Sequence, residues 1–228
     1  GAWGKQSGRT FESCRGRHDQ TAFATLRGAA PIPLPRQNQM SFGIHEASLP
    51  TLSRALRNAI ACLDKAAAWA AEKQQSTPAS LSIEQGLTQS RLVPDMFPLA
   101  RQVQIATDMS KGCAARLAGI EPPRYEDTES TLGELKARLE KTIAFIDGVD
   151  RNAVDGSAQR SITIKTGGQD VTFSGGDYVT HFVLPNVFFH LTMAYALLRQ
   201  AGVPLGTRDF LGGRTHHAPP AAAPPGRP

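Results

Sequence analysis

The sequence predicts an all-α domain over residues 40–212, an antiparallel four-helix bundle with a small β-hairpin before its last helix. Three observations lead there. Four long stretches repeat apolar residues at three- and four-residue steps, the period of a helix with one buried face. One short stretch alternates polar and apolar residues about a Gly-Gly pair, the period of paired strands. The segments outside 40–212 follow neither period.

The first helix is expected to start near Ser48, with Pro50 in its opening turn, where a missing N–H costs nothing. Leu49, Leu52, Leu56, Ile60, Leu63 and Ala67 form its stripe, which runs to about Lys73. Residues 79–92 hold leucines without a clean period and read as a loop with a short helical turn. The second helix is expected from Pro94. Met96, Leu99, Val103, Ala106, Met109, Cys113 and Leu117 lie on one face, and Gly119 is placed as its C-terminal cap. Thr131 and Glu134 form a capping box that announces the third helix, with Leu132, Leu135, Leu139, Ile143 and Ile146 as its buried stripe. Ser161–Thr166 and Val171–Phe173 alternate about Gly167-Gly168 as a hairpin, which must lean on the helices because an isolated hairpin is marginal. The last helix is expected from Asp177 to Gln200, ended by Gly202 and Pro204. Pro185 inside it predicts a kink or break near His181.

The ends differ in kind. Residues 1–39 end in Ala30-Pro31-Ile32-Pro33-Leu34-Pro35 and read as a disordered extension ahead of a natural start at Met40. An acid-poor organelle leader is the alternative reading. Residues 213–228 are expected to be a flexible Pro/Ala tail, on which His216 and His217 would make only a weak metal site.

The calculated isoelectric point near 9.4 suggests an anionic partner until the charges are placed. Six Lys/Arg oppose two acids in residues 1–39, and the last fifteen residues hold two arginines and no acid. The bundle itself carries 17 basic and 18 acidic side chains, so nucleic-acid binding by the domain loses its main support. The most apolar stretch, Val179–Leu198, is interrupted or bounded by His181, Asn186, His190 and Arg199 and reads as a core helix rather than a membrane span. Cys14, Cys62 and Cys113 show no CxxC or finger spacing. Cys62 and Cys113 fall on apolar helix faces, which fits buried thiols in a cytoplasmic setting. Gly167-Gly168 and Gly175-Gly176 lack the context of a phosphate loop.

Several phrases recur together in order. They are Arg91–Leu99 with Gln102-Val103-Gln104, Leu184–His190, Ala194–Arg199 and Gly206–Gly212. Together they resemble an uncharacterised bacterial family grouped with the DinB/YfiT-like four-helix bundles, and the likeness spans residues 41–212. The resemblance implies that fold. It also implies a superfamily in which some members are metal-dependent, thiol-using S-transferases or isomerases. Metal-binding members supply one histidine early in the second helix and two, four residues apart, on the last. Here the first position falls at Asp95-Met96 and the last at Ala194, so only His190 matches.

At about 100° per residue, His181 and His190 point to opposite faces of a straight helix, whereas Asn186 and His190 share one. Asp95 and Gln102, seven apart, share a face of the expected second helix. Asp95, Gln102, Asn186 and His190 are therefore the candidate ligand-binding residues, converging on a polar pocket, with His190 and Asp95 as candidate ligands for a divalent metal. Their plainer roles are mutual satisfaction of buried polar groups, helix capping by Asn186, and a favourable acid near a helix start for Asp95. His45 is expected to be solvated, the run Glu126–Glu129 to be a solvated approach to the third helix, and Phe188, Phe189 and Tyr195 to be core. Three functions are compatible with these residues. The first is a small-molecule-binding or stress-related module, homodimeric, with a polar pocket. The second is a divergent metal- or thiol-dependent transferase using His190 and Asp95. The third is a structural or interaction protein.

Overall fold

The computed structural model describes residues 42–213. The expected N-terminal extension, Cys14, and the C-terminal tail with His216 and His217 lie outside the described residues.

Helix α1 (Ile44–Gln74) begins a turn earlier than Pro50 suggested. Pro50 cannot donate to the Glu46 carbonyl, and the Thr51 hydroxyl approaches that oxygen at 3.5 Å, so the chain coils through the proline. A single turn, α2 (Ile83–Thr88), capped by Ser82, interrupts the following loop as expected.

Helix α3 (Leu99–Ala118) starts five residues later than the sequence suggested. Pro94 is used instead at the second position of a β-turn, closed by Met96 N–H donating to the Val93 carbonyl at 3.0 Å. Proline is favoured there and a short acid is tolerated beside it. The loop closes through Leu99 N–H to the Ser90 carbonyl, also 3.0 Å. Gly119 caps α3 in the left-handed region, φ 75°, as its position foretold.

Helix α4 (Leu132–Asp147) carries the expected capping box between Thr131 and Glu134. A short α5 (Arg151–Asp155) follows, capped by Asp150. Strands β1 (Ser161–Thr166) and β2 (Gln169–Ser174) pair antiparallel in a register that sets Ile162 opposite Phe173. Gly167 and Gly168 sit at φ 57° and 80°, the backbone a two-residue hairpin turn requires. Ile162 and Ile164 are buried against the helices, and Phe173 joins Tyr178 and Phe182 in an aromatic cluster.

From Gly175 to Gln200 the chain is one helix of 26 residues, made of α6 (Gly175–Asp177), a π-helical stretch (Tyr178–Val183) and α7 (Leu184–Gln200). The disturbance expected near His181 is this π stretch. Pro185 removes a donor at the start of α7, and Asn186 Nδ2 donates back to the Phe182 carbonyl at 2.6 Å. The segment is long and apolar enough to span a membrane by length and composition alone, with mean hydropathy 1.3. In the bundle, Val183, Val187, Leu191, Ala194, Leu197 and Leu198 on it are buried, while Phe188 and Phe189 lie at the surface rather than in the core. Tyr195 is partly buried against Phe210 of α8 (Thr207–Leu211).

The four long helices form a bundle in which α3 packs against α4 and α7, and α1 against α4 and α7. Leu52, Leu56, Leu99, Leu117, Leu135 and Leu139 are fully buried at its centre. One part of the interior is ionic. Arg138 of α4 is 3% exposed and donates to Thr107 Oγ1 at 2.7 Å, to the Glu126 carbonyl at 2.8 Å and to Asp108 Oδ1 at 2.8 Å. It also pairs with Glu129 and Asp127, each at 3.0 Å. Asp127 takes a second partner in Arg101, and Glu129 takes Gln104. The acidic run is therefore not a merely solvated approach to α4. It is the counter-charge that ties the α3–α4 loop across both helices.

Candidate functional site

The four sequence-predicted site residues part company. Asp95 is exposed in the turn before α3, outside the helix, so the seven-residue helical spacing to Gln102 does not bring the two together. Asp95 makes no hydrogen bond or ion pair with any described residue. Asn186 serves the helix backbone at Phe182. His181 is on the surface beside Asp177, at 3.4 Å.

Gln102 and His190 do meet. Gln102 is 2% exposed, and its Nε2 donates to the Phe97 carbonyl at 3.0 Å. That leaves Oε1 facing His190 Nδ1 at 2.7 Å. An amide oxygen can only accept, so Nδ1 carries the proton and, in the neutral ring, Nε2 keeps the lone pair. Burial first, and then the Arg101 charge, hold the His190 pKa below its ordinary 6.5. The neutral ring is thus the form the fold selects.

A pH dependence follows. The unfolded chain binds this proton at higher pH than the folded one, so His190 takes stability away as pH falls below 6.5. Stability should decline between about pH 7 and 5, with a shallower decline in His190→Gln. Matching denaturation profiles for the two proteins would refute the assignment.

Among the described residues, no three His, Cys, Asp or Glu side chains come together in a set that could hold a metal ion. The side chains present do not fit the three-histidine centre that the resemblance implies. Neither of the two described cysteines, Cys62 and Cys113, offers an activated thiol. Burial pushes Cys113 up to about 12, and burial with the nearby Asp209 charge pushes Cys62 up to about 11. His45, expected in solvent, sits in the first turn of α1 with a buried Nδ1 that has no hydrogen-bond partner in the described structure.

A cavity that sequence reasoning missed lies between α1, α7 and α8. It encloses about 60 Å³, and its wall is mainly apolar, with Leu63, Leu191, Leu198, Tyr195 and Phe210 prominent and Cys62 beside them. Thr51, Arg54 and Asn58 supply the polar part. The wall from α8 is tethered by Lys65 Nζ to Asp209 Oδ1 at 2.6 Å and by Asn58 Nδ2 donating to the Phe210 carbonyl at 3.0 Å. Single-residue spacing carries no trace of such a void, because it depends on how three elements fit together.

The comparisons with known proteins agree with this fold. A family model described as "Domain of unknown function (DUF1993)" matches residues 44–211. The chain belongs to this family. The DUF1993 domain is also similar to a solved structure, the crystal structure of a DinB family member protein from Shewanella denitrificans. The two share 34% identity over 77% of this chain and 95% of that one, with a TM-score of 0.67. The DinB-like grouping read from the phrases above is therefore shown. No curated protein matches the chain.

Proposed function

We propose that the DUF1993 domain is a small-molecule-binding module whose ligand enters the cavity between α1, α7 and α8. The observation that carries this reading is the cavity itself. Protein interiors are close-packed, so a cavity of this size with a mainly apolar wall is uncommon and has the shape and polarity that a small apolar ligand needs. A single water needs only about 10–15 Å³ on this measure, so 60 Å³ has room for an apolar fragment. The raised pKa values of Cys62 and Cys113, and the lack of a metal-holding set among the described residues, weigh against the transferase alternative. In this reading the Gln102–His190 pair ties α3 to α7, each partner satisfying the other.

The test uses 1-pentanol as a neutral apolar probe. At about ten times its Kd it should raise Tm by about 3 °C, since a ligand that binds only the folded state stabilises it. Ala59→Met, which places a longer side chain in the cavity wall, should abolish the rise. No rise in the wild-type protein, or an equal rise in the filled variant, would remove the proposal.

A further inference from the structure

The last long helix has a solvent face unlike those of its neighbours. The outer faces of α1 and α4 carry charged side chains, such as Asp64 and Lys65 or Glu140 and Lys141. From Tyr178 to Leu198 the last helix has no Asp, Glu, Lys or Arg, and only 33% of its most apolar stretch is buried in the bundle. Along α7, the positions opposite the buried Val187, Leu191 and Leu198 are Pro185, Phe189, Met193 and Ala196, at helical spacing. All four are exposed or half-buried, Phe189 at 52%. The turn before α3 widens this surface. Gln102 holds the turn to α7, donating to the Phe97 carbonyl while it accepts from His190, and Leu92, Val93 and Phe97 are exposed on it. Contiguous apolar surface of this kind marks an interaction site.

Charge stands only at the two ends of the helix face. Asp177, with a 57% exposed side chain, begins it, and its one cationic neighbour among the described residues is His181 at 3.4 Å. Arg199 ends it, exposed, donating to the Val203 carbonyl and facing no acid among the described residues. We propose that this face is the interface of a twofold homodimer, in which the last helices of two copies pack antiparallel. A twofold axis at Phe189 sets that ring against the partner's Phe189 and Pro185 near the partner's Met193. It also brings each Arg199 toward the partner's Asp177, so one surface complements itself. The antiparallel sense opposes the two helix dipoles, whereas a parallel pair would align them and set Asp177 against the partner's Asp177. From Asp177 to Arg199 the helix is about 33 Å long, and a face about 10 Å wide gives roughly 330 Å². The exposed turn beside it extends the patch toward the roughly 800 Å² per partner of a stable pair. The face turns away from the cavity wall of Leu191, Ala194 and Leu198, so the two sites can be tested apart.

Sedimentation equilibrium of the full chain should find a species at twice the 24.4 kDa chain mass. Its Kd should be about 1 μM or tighter, as interfaces of this class show. Phe189→Asp should weaken association about a hundredfold, since it places a charge at the centre of the interface. Phe189 is exposed in the single chain, so circular dichroism should be unchanged. Asp177→Arg and Arg199→Asp should each weaken self-association by about tenfold, because each sets like charges together at both ends. An equimolar mixture of those two variants should recover the wild-type affinity, since every end contact in the mixed pair again joins an acid to an arginine. A monomer at every concentration overturns the proposal. It leaves the face to residues outside the described span or, if the chain sediments with phosphatidylcholine vesicles, to a membrane. A dimer untouched by Phe189→Asp uses another surface and overturns it equally. A mixture that associates no better than either charge variant alone contradicts the antiparallel twofold.

Discussion

Replacing Arg138 with methionine should destabilise the domain by about 3 kcal/mol, because breaking a buried ion network strands the remaining charges. The arginine side chain is 2% exposed and is surrounded by Asp108, Asp127 and Glu129. Asp108 and Asp127 keep about a third of their surface in water, which places the loss at the low end of the usual range for buried pairs. Methionine keeps the aliphatic stem but takes the shared cation from Asp108, Asp127 and Glu129, leaving Lys111, Arg101 and Gln104 as their respective partners, and it leaves the Thr107 hydroxyl and Glu126 carbonyl without their donor. Lysine should recover only part of the loss, since one ammonium cannot replace a planar fork that meets five partners. Chemical denaturation of Arg138→Met, Glu129→Gln and the double variant measures this directly. The two changes should be non-additive. A loss under about 1 kcal/mol for Arg138→Met would show that the network is incidental.

Gly175→Ala should be nearly as damaging, by about 2–3 kcal/mol, through overpacking against rigid backbone. Gly175 is buried where β2 passes into the last long helix. A Cβ there would lie 2.0 Å from the Ser157 carbonyl oxygen and 3.0 Å from its carbon. Neither atom belongs to a flexible side chain, so the hairpin or the helix start would have to move. The adjacent Gly176 is the control. A Cβ added there meets nothing nearer than 3.7 Å, and Gly176→Ala should stay within about 0.5 kcal/mol. Equal stabilities for the two variants would contradict the close approach. Gly175-Gly176 thus has a role in packing and needs none in phosphate binding.

These two positions illustrate what was legible in the chain. Local rules read well. The Thr131–Glu134 box, the Gly119 cap and the hairpin turn at Gly167-Gly168 appear where spacing put them, and so do most of the apolar stripes, except that Ala66 and Ala70 rather than Ala67 continue the buried face of α1 and Met96 lies in the turn before α3. Each is fixed by residues within one or two turns of one another. The start of α3 was misread because Pro94-Asp95 suits a β-turn as well as a helix start, and the closing bond to Val93 is what decides between them. The Arg138 network was not legible, because its acids lie in a loop that only the packed bundle lays over α3 and α4. The Gln102–His190 contact, 88 residues apart in sequence, was anticipated as part of a four-residue cluster, and the turn that holds Asp95 shows why the cluster does not form as drawn. The cavity could not be read at all, since a void is a property of fit among α1, α7 and α8.

A small molecule has two places to sit in this bundle: the apolar cavity or the space beside His190. Methyl-resolved NMR of the full chain titrated with 1-pentanol separates them. Binding in the cavity should give saturable shifts at the methyls of Leu63, Leu191 and Leu198, which line it, with Leu99 and the His190 ring unmoved. Shifts centred on Leu99 and His190, with the cavity methyls silent, would contradict it.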